Sequence, residues 1–259
     1  GISYYLKPDF SSIERNGLME TLWAAMGQAF FTLSVGQGSI EIFGTYINKK
    51  HSLLSEGMWI AILDTVVALL AGFVIFPACF SYNVQPDAGP SLLFITMSTV
   101  FANMTGGYFW GMLFFLFMLI AAMSTLIAVY ESIIAICMEV FGISRPKSVL
   151  YNFLFIMLIS LPALFGFNLL SEVHPFGFDT FMDLEDFIVS NNTLPLGSLF
   201  MVLFITAKTG MGWKKYISEA NTGVGLKIRN NRLVFWYFHL VLPIVIGVLV
   251  TVGYIKIFG

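Results

Sequence analysis

Apolar residues in this chain gather into long, nearly unbroken runs, not the short alternating or one-faced patterns of half-buried soluble elements. About 20 consecutive apolar residues are needed for a helix to cross hydrocarbon. Six stretches reach that length, roughly 21–48, 58–82, 108–140, 148–168, 186–207 and 232–257, and each predicts a spanning helix. The run Leu92–Met104 is apolar but too short to cross. Gly89-Pro90 before it and Gly106-Gly107 after it predict a loop over 83–107 holding short helices packed against the protein.

The polar residues between the runs set an orientation. Ten of the 13 basic residues fall on alternate loops: Lys49 and Lys50; Arg145 and Lys147; then Lys208, Lys214, Lys215, Lys227, Arg229 and Arg232. Residues 83–107 and 169–185 contain no Lys or Arg, and the second carries Glu172, Asp179, Asp183 and Glu185. By the positive-inside rule the basic loops face the cytoplasm, and the N-terminal segment and C-terminus face outside. Only Lys7, Arg15 and Lys256 fall on the other side.

Composition agrees. The 259 residues are 58% hydrophobic and 11% charged, with mean hydropathy +0.84, against roughly 25% charge in a soluble domain. A soluble enzyme is excluded. A net charge of -2 supplies no field for nucleic acid. Cys79 and Cys137, with His51, His174 and His239, are too far apart in sequence for a zinc motif or a disulfide framework. The opening GISYYLKPDFSSIERNG is polar and unlike a signal peptide, so the chain is expected to begin within something larger.

Candidate chemistry lies inside the runs. Glu41, Asp64 and Glu131 sit at membrane depth on three spans, where acids are costly and face a cavity or a partner. Each alone fits a hydrogen-bonded structural acid equally well; three together favour a cation or proton pathway. The first span reads FFTLSVGQGSIEIFGTY, and Gly36 and Gly38 weaken a helix by about 1 kcal/mol each. Tight small-residue packing is one explanation. A broken helix that binds an ion and an anionic group at its ends is the other, and the oxygens of Thr32 and Ser34 favour it. On the third span Ala121, Ser124, Thr125 and Ala128 share a face. Their hydroxyls either bond back to the preceding turn or serve as hard oxygen ligands of the kind sodium prefers.

The stretches PDF (8–10), WAAMGQAFFTLSVGQGSIEIFGTYINKK (23–50), AAMSTLIAVYESIIAICMEVFGISR (121–145) and DFIVSNNTLPLG (186–197) resemble the neurotransmitter:sodium symporter family, also called SNF. The resemblance runs over essentially the whole chain. It implies an all-α integral membrane protein: the second inverted repeat of the broken-helix (LeuT-type) transporter fold plus one extra helix. Broken helices and inverted repeats are properties of that family and come with the resemblance. The six spans match its sixth to eleventh, so the chain is expected to be a C-terminal portion whose missing N-terminal half holds five spans.

The resemblance also implies roles. Phe31, Ser34, Val35 and Gln37, with Thr125, Leu126 and Val129, match substrate-lining positions. Thr32 and Asp64 match the first sodium site; Ala121, Ser124 and Thr125 match the second. Tyr46 and Glu139 match the cytoplasmic gate and Asp186 the extracellular gate acid, their basic partners belonging to the missing half. Asp64 stands where Asn is usual, and the acid of chloride-independent members, one turn on, is Ala68 here; Asp64 is thus expected to serve as chloride substitute as well. Glu131, two turns past Ser124, is read as structural or proton-linked.

The expected function is sodium-coupled symport of an amino acid or related zwitterion across the cytoplasmic membrane, with sodium ions co-transported, no organic cofactor and membrane lipid as surroundings. The apolar walls suggest a hydrophobic or aromatic substrate. The alternative is an inactive remnant or scaffold lacking its other half. An ion channel fits less well, because neither charge rings nor a filter-like motif is visible.

Overall fold

The computed structural model describes residues 1–7, 10–11, 13, 17–46, 49–86, 89 and 91–258, with side chains up to 255. Pro8 and Asp9 of the PDF stretch, Arg15, Pro90 and the side chain of Lys256 lie outside the described residues. Among the described residues the fold is all-helical, and the one β feature is an isolated bridge between His51 and Val224.

Five helical runs are long and apolar enough to cross a membrane. They are α4 (Leu53–Ser81), α6 (Gly107–Phe141), α7 (Arg145–Ile159) continued by α8 (Leu161–Phe165), the run Phe181–Thr206, and the run beginning at Arg232. Before them stand α1 (Ile2–Leu6) and the pair α2 (Leu18–Thr32) and α3 (Ser39–Tyr46), separated by a non-helical link. The first apolar stretch is therefore two half-helices. Between α4 and α6 lies a π-helical turn, Leu92–Thr96, followed by α5 (Met97–Asn103). The run Phe181–Thr206 comprises α9 (Phe181–Asp186), a π turn (Phe187–Thr193) and α10 (Leu194–Thr206). After it come α11 (Trp213–Ala220), α12 (Arg232–Trp236), a third π turn (Tyr237–Val241) and α13 (Leu242–Phe258).

Two helices start earlier than their apolar runs. α4 begins at Leu53 because the Ser52 carbonyl accepts from Glu56 N at 3.2 Å and its hydroxyl from Ser55 N at 3.4 Å. α9 begins at Phe181 because Thr180 Oγ1 accepts from Asp183 N and donates to the Asp183 carboxylate. Such first turns are polar because they satisfy free backbone donors, so an apolar-run reading passes over them.

The chain divides into two compact units. The first is Gly1–Gly17 with Trp59–Ile127 and the second Leu18–Met58 with Ala128–Gly259. In the first, Tyr4 and Tyr5 of α1 pack their rings on Phe73, Phe76 and Phe80 of α4. Cys79, Met97 and Val100 form its small buried core. In the second, α10 and α13 pack together, and α2 lies against both. Trp23 Nε1 of α2 donates to the Leu249 carbonyl at 3.0 Å. The loop after α11 docks on the start of α4. Val224 N donates to the Lys50 carbonyl, Ser52 N to the Val224 carbonyl, the buried Ser52 hydroxyl to the Leu226 carbonyl, and Lys49 pairs with Glu219 at 3.0 Å.

The long helices bury little of themselves: the most apolar window of α6 is 0% buried and that of α4 is 6%. So much bare hydrocarbon is unfavourable in water at about 25 cal/mol per Å². The surroundings these faces require are lipid or further protein.

Candidate functional site: the broken helix

The link between α2 and α3 is irregular backbone. α2 closes with Leu33 N on the Ala29 carbonyl, Ser34 N on Phe31 and Val35 N on Phe30, so its last turn mixes four-, three- and five-residue spacings. Ser34, Gly36 and Gly38 then take φ of 49°, 81° and 91°. Left-handed values cost a non-glycine residue about 1 kcal/mol or more. The helix restarts with Ile42 N on the Gly38 carbonyl.

Two glycines hold this link against α10. A Cβ on Gly36 would lie 2.5 Å from Ser198 N and 2.6 Å from Ser198 Oγ, and would also strike the Leu194 carbonyl. A Cβ on Gly197 would fall against the Gly36 carbonyl. Ser198 turns its hydroxyl onto the Leu194 carbonyl at 2.8 Å and is buried. The link thus passes α10 at backbone contact. On its other side Gly38 faces Ser132 of α6: a Cβ there would be 3.9 Å from Ser132 Cβ. Ser132 is buried and bonded to the Val129 carbonyl. One expected pocket residue, Val129, therefore lies on the α6 turn beside the break.

The side chains expected to meet a ligand are open. Phe31 is 51% exposed and Val35 36%, while Ser34 and Gln37 are half-buried. The buried Ser39 hydroxyl, first residue of α3, has no hydrogen-bond partner among the described residues. A buried hydroxyl without a partner costs about 1–3 kcal/mol.

The expected sodium ligands divide between the units: Thr32 in the second; Asp64, Ala121, Ser124 and Thr125 in the first, with the wall residue Leu126. Ser124 Oγ donates to the Ala121 carbonyl at 2.7 Å and Thr125 Oγ1 to the same carbonyl at 3.4 Å. Each hydroxyl thereby spends its proton on the helix and keeps lone pairs to offer a cation. Asp64 is half-buried on α4 among exposed neighbours.

At the far end of α3 the structure builds a network that spacing did not reveal. Glu131 of α6 takes both arms of Arg145, Nη1 at 2.9 Å and Nη2 at 2.6 Å, and a third bond from the Tyr46 hydroxyl at 3.1 Å. Tyr46 thus meets Glu131, while Glu139 lies exposed near the end of α6. The signal available beforehand was an arginine two residues beyond Gly142-Ile143, at the start of the next helix. By sequence alone it is only a loop charge. Asp186, expected as a gate acid, accepts from the Ser190 hydroxyl at 2.7 Å.

A helix broken at glycines, pressed at backbone distance onto one long helix and flanked by another that carries hydroxyls, is the architecture of a secondary transporter. The profile of the Sodium:neurotransmitter symporter family matches residues 1–258, and the chain belongs to that family. It is 34% identical over 250 residues to an uncharacterized sodium-dependent transporter of Haemophilus influenzae, covering 96% of this chain and 52% of that protein. It is 35% identical over 208 residues to the uncharacterized sodium-dependent transporter YhdH of Bacillus subtilis, covering 80% and 45%. The structure is similar to that of MhsT in complex with L-phenylalanine, with TM-score 0.82 and 29% identity over 97% of this chain and 55% of that one. The chain spans about half the length of the curated relatives it matches. It is a multi-pass membrane protein with the LeuT-type helical fold, and its family are transporters, not enzymes.

Proposed function

We propose that this chain forms the sodium-coupling half of a secondary transporter that carries a hydrophobic amino acid with sodium. The observation that carries the reading is the break at residues 33–38. It brings together left-handed backbone at Ser34, Gly36 and Gly38, a buried Ser39 hydroxyl with no partner among the described residues, and Thr32 and Ser34 oxygens, a set suited to a zwitterion and a hard cation. By their match to the family's motif, Phe31, Val35, Leu126 and Val129 are apolar wall residues and Gln37 adds one amide. A related protein's structure with L-phenylalanine supports an apolar side chain as cargo. By the same match, Thr32 and Asp64 are each sodium ligands; Ala121, through its carbonyl, with Ser124 and Thr125, serves a second ion. Tyr46, with Glu131 and Arg145, and Glu139 close the cytoplasmic path. Asp186 closes the outer one. The N-terminal segment lies outside, as the basic loops require. Asp64 replaces a bound chloride.

The test is uptake of radiolabelled L-phenylalanine and L-leucine by the full-length protein in proteoliposomes. Uptake should rise steeply with an inward sodium gradient and fall to background with potassium in its place. Thr125→Ala should raise the sodium concentration needed for half-maximal uptake. Uptake indifferent to sodium would sink the proposal.

A further inference from the structure

The run Phe181–Thr206 contains a π turn at Phe187–Thr193, immediately after Asp186. A π turn fits one extra residue into a helix and displaces carbonyls from their usual partners. Here two side chains add bonds within the turn. Asn192 Nδ2 donates to the Phe187 carbonyl at 3.1 Å and Thr193 Oγ1 to the Ile188 carbonyl at 3.0 Å, each reaching back five residues. Because a carbonyl only accepts, the Asn192 nitrogen must face Phe187, which leaves Oδ1 for the Tyr254 hydroxyl of α13, 2.5 Å away. The Tyr254 ring meets the buried Phe187 ring edge-on, centroids 5.5 Å apart. Phe187 in turn touches Phe178 at 5.3 Å. Inside the same turn, Ser190 donates to Asp186 Oδ1 at 2.7 Å.

We propose that Tyr254 is a positioning residue for Asp186, holding the π turn wound through Asn192 so that Ser190 fixes the direction of the carboxylate. α13 thereby sets how readily the outer gate acid reaches a basic partner. This rests on the reading of Asp186 as a gate. The amide of Asn192 spans the turn, its only strong external tether among the described residues is Tyr254, and the hydroxyl that orients Asp186 lies within the same turn.

Tyr254→Phe keeps the ring on Phe187 and removes one hydroxyl, so it tests the tether with little risk to folding. Two measurements on the full-length protein separate the outcomes. Hydrogen–deuterium exchange should speed up over residues 187–193 in Tyr254→Phe and stay unchanged in α4. In sodium-driven L-phenylalanine uptake, Tyr254→Phe should raise KM about fivefold, the equivalent of one net hydrogen bond, with the maximal rate retained. In an Asp186→Asn background the same change should add nothing further, because the residue acts through Asp186. Unchanged exchange over 187–193, or an equal KM effect with and without Asp186, overturns the proposal while leaving the gate intact. An Asp186→Asn protein that transports like wild type overturns the gate reading and the proposal with it.

Discussion

Glu131 shows what a single charged side chain needs at membrane depth. Its side chain is 16% exposed and accepts three hydrogen bonds, two from the Arg145 fork and one from Tyr46. A carboxylate so placed is stable only while its lone pairs are filled. The Arg145 side chain is 55% exposed, so solvent screens the pair and its value comes mainly from geometry. Arg145→Lys keeps the charge and loses the fork. It should lower stability, read as a lower melting temperature in detergent. An unchanged melting temperature would show that charge alone suffices. Composition and spacing made Glu131 conspicuous as an intramembrane acid, and it is indeed paired. They could not show with whom, because Tyr46 and Arg145 are 85 and 14 residues away in sequence and meet it only through the fold.

At the scale of elements, the broken helix was the most legible feature and the π turns the least. Gly36 and Gly38 announce a break because both carry positive φ, which a side chain resists. The apolar runs announce helices because hydrocarbon length is a coarse requirement that composition alone can meet. A π turn adds one residue to a helix without changing its hydropathy, so Phe187–Thr193 and Tyr237–Val241 leave no trace in the apolar pattern. The approach of Gly36 to Gly197 was likewise hidden, since it joins residues far apart in the chain. That approach makes a sharp forecast. Gly36→Ala forces a methyl into Ser198 and the Leu194 carbonyl and adds left-handed strain. The strain alone is about 1–2 kcal/mol. A matched Gly44→Ala, where nothing lies within 4 Å, should be neutral or slightly favourable. Comparing the two by thermal unfolding and by uptake isolates the break. Equal behaviour of the two variants would mean that α10 does not press on the link.

For the whole molecule the governing constraint is charge. A transporter that takes sodium ions and a zwitterion into a low-dielectric centre meets a cost of several kcal/mol for each uncompensated charge. Some anion must offset it, either a mobile one bound from solution or a carboxylate built into the protein. Asp64 on α4 is half-buried and stands in the first unit together with Ser124 and Thr125. On the proposed reading it is both a sodium ligand and the fixed anion. A carboxylate differs from chloride in one respect that matters to the cycle: it can discharge by taking a proton. The empty carrier can then return with Asp64 neutral, so uptake of sodium is accompanied by export of a proton. The plainer account makes Asp64 a ligand with one more charge than Asn and no further role. Replacing chloride by gluconate in the proteoliposome assay separates them. Wild-type uptake should be unaffected, and a sodium-driven cycle should acidify the outside of the vesicles. Asp64→Asn should transport only with chloride present, or not at all, and should move no protons. If wild-type uptake falls with chloride removal, the charge is supplied from solution and Asp64 is only a ligand.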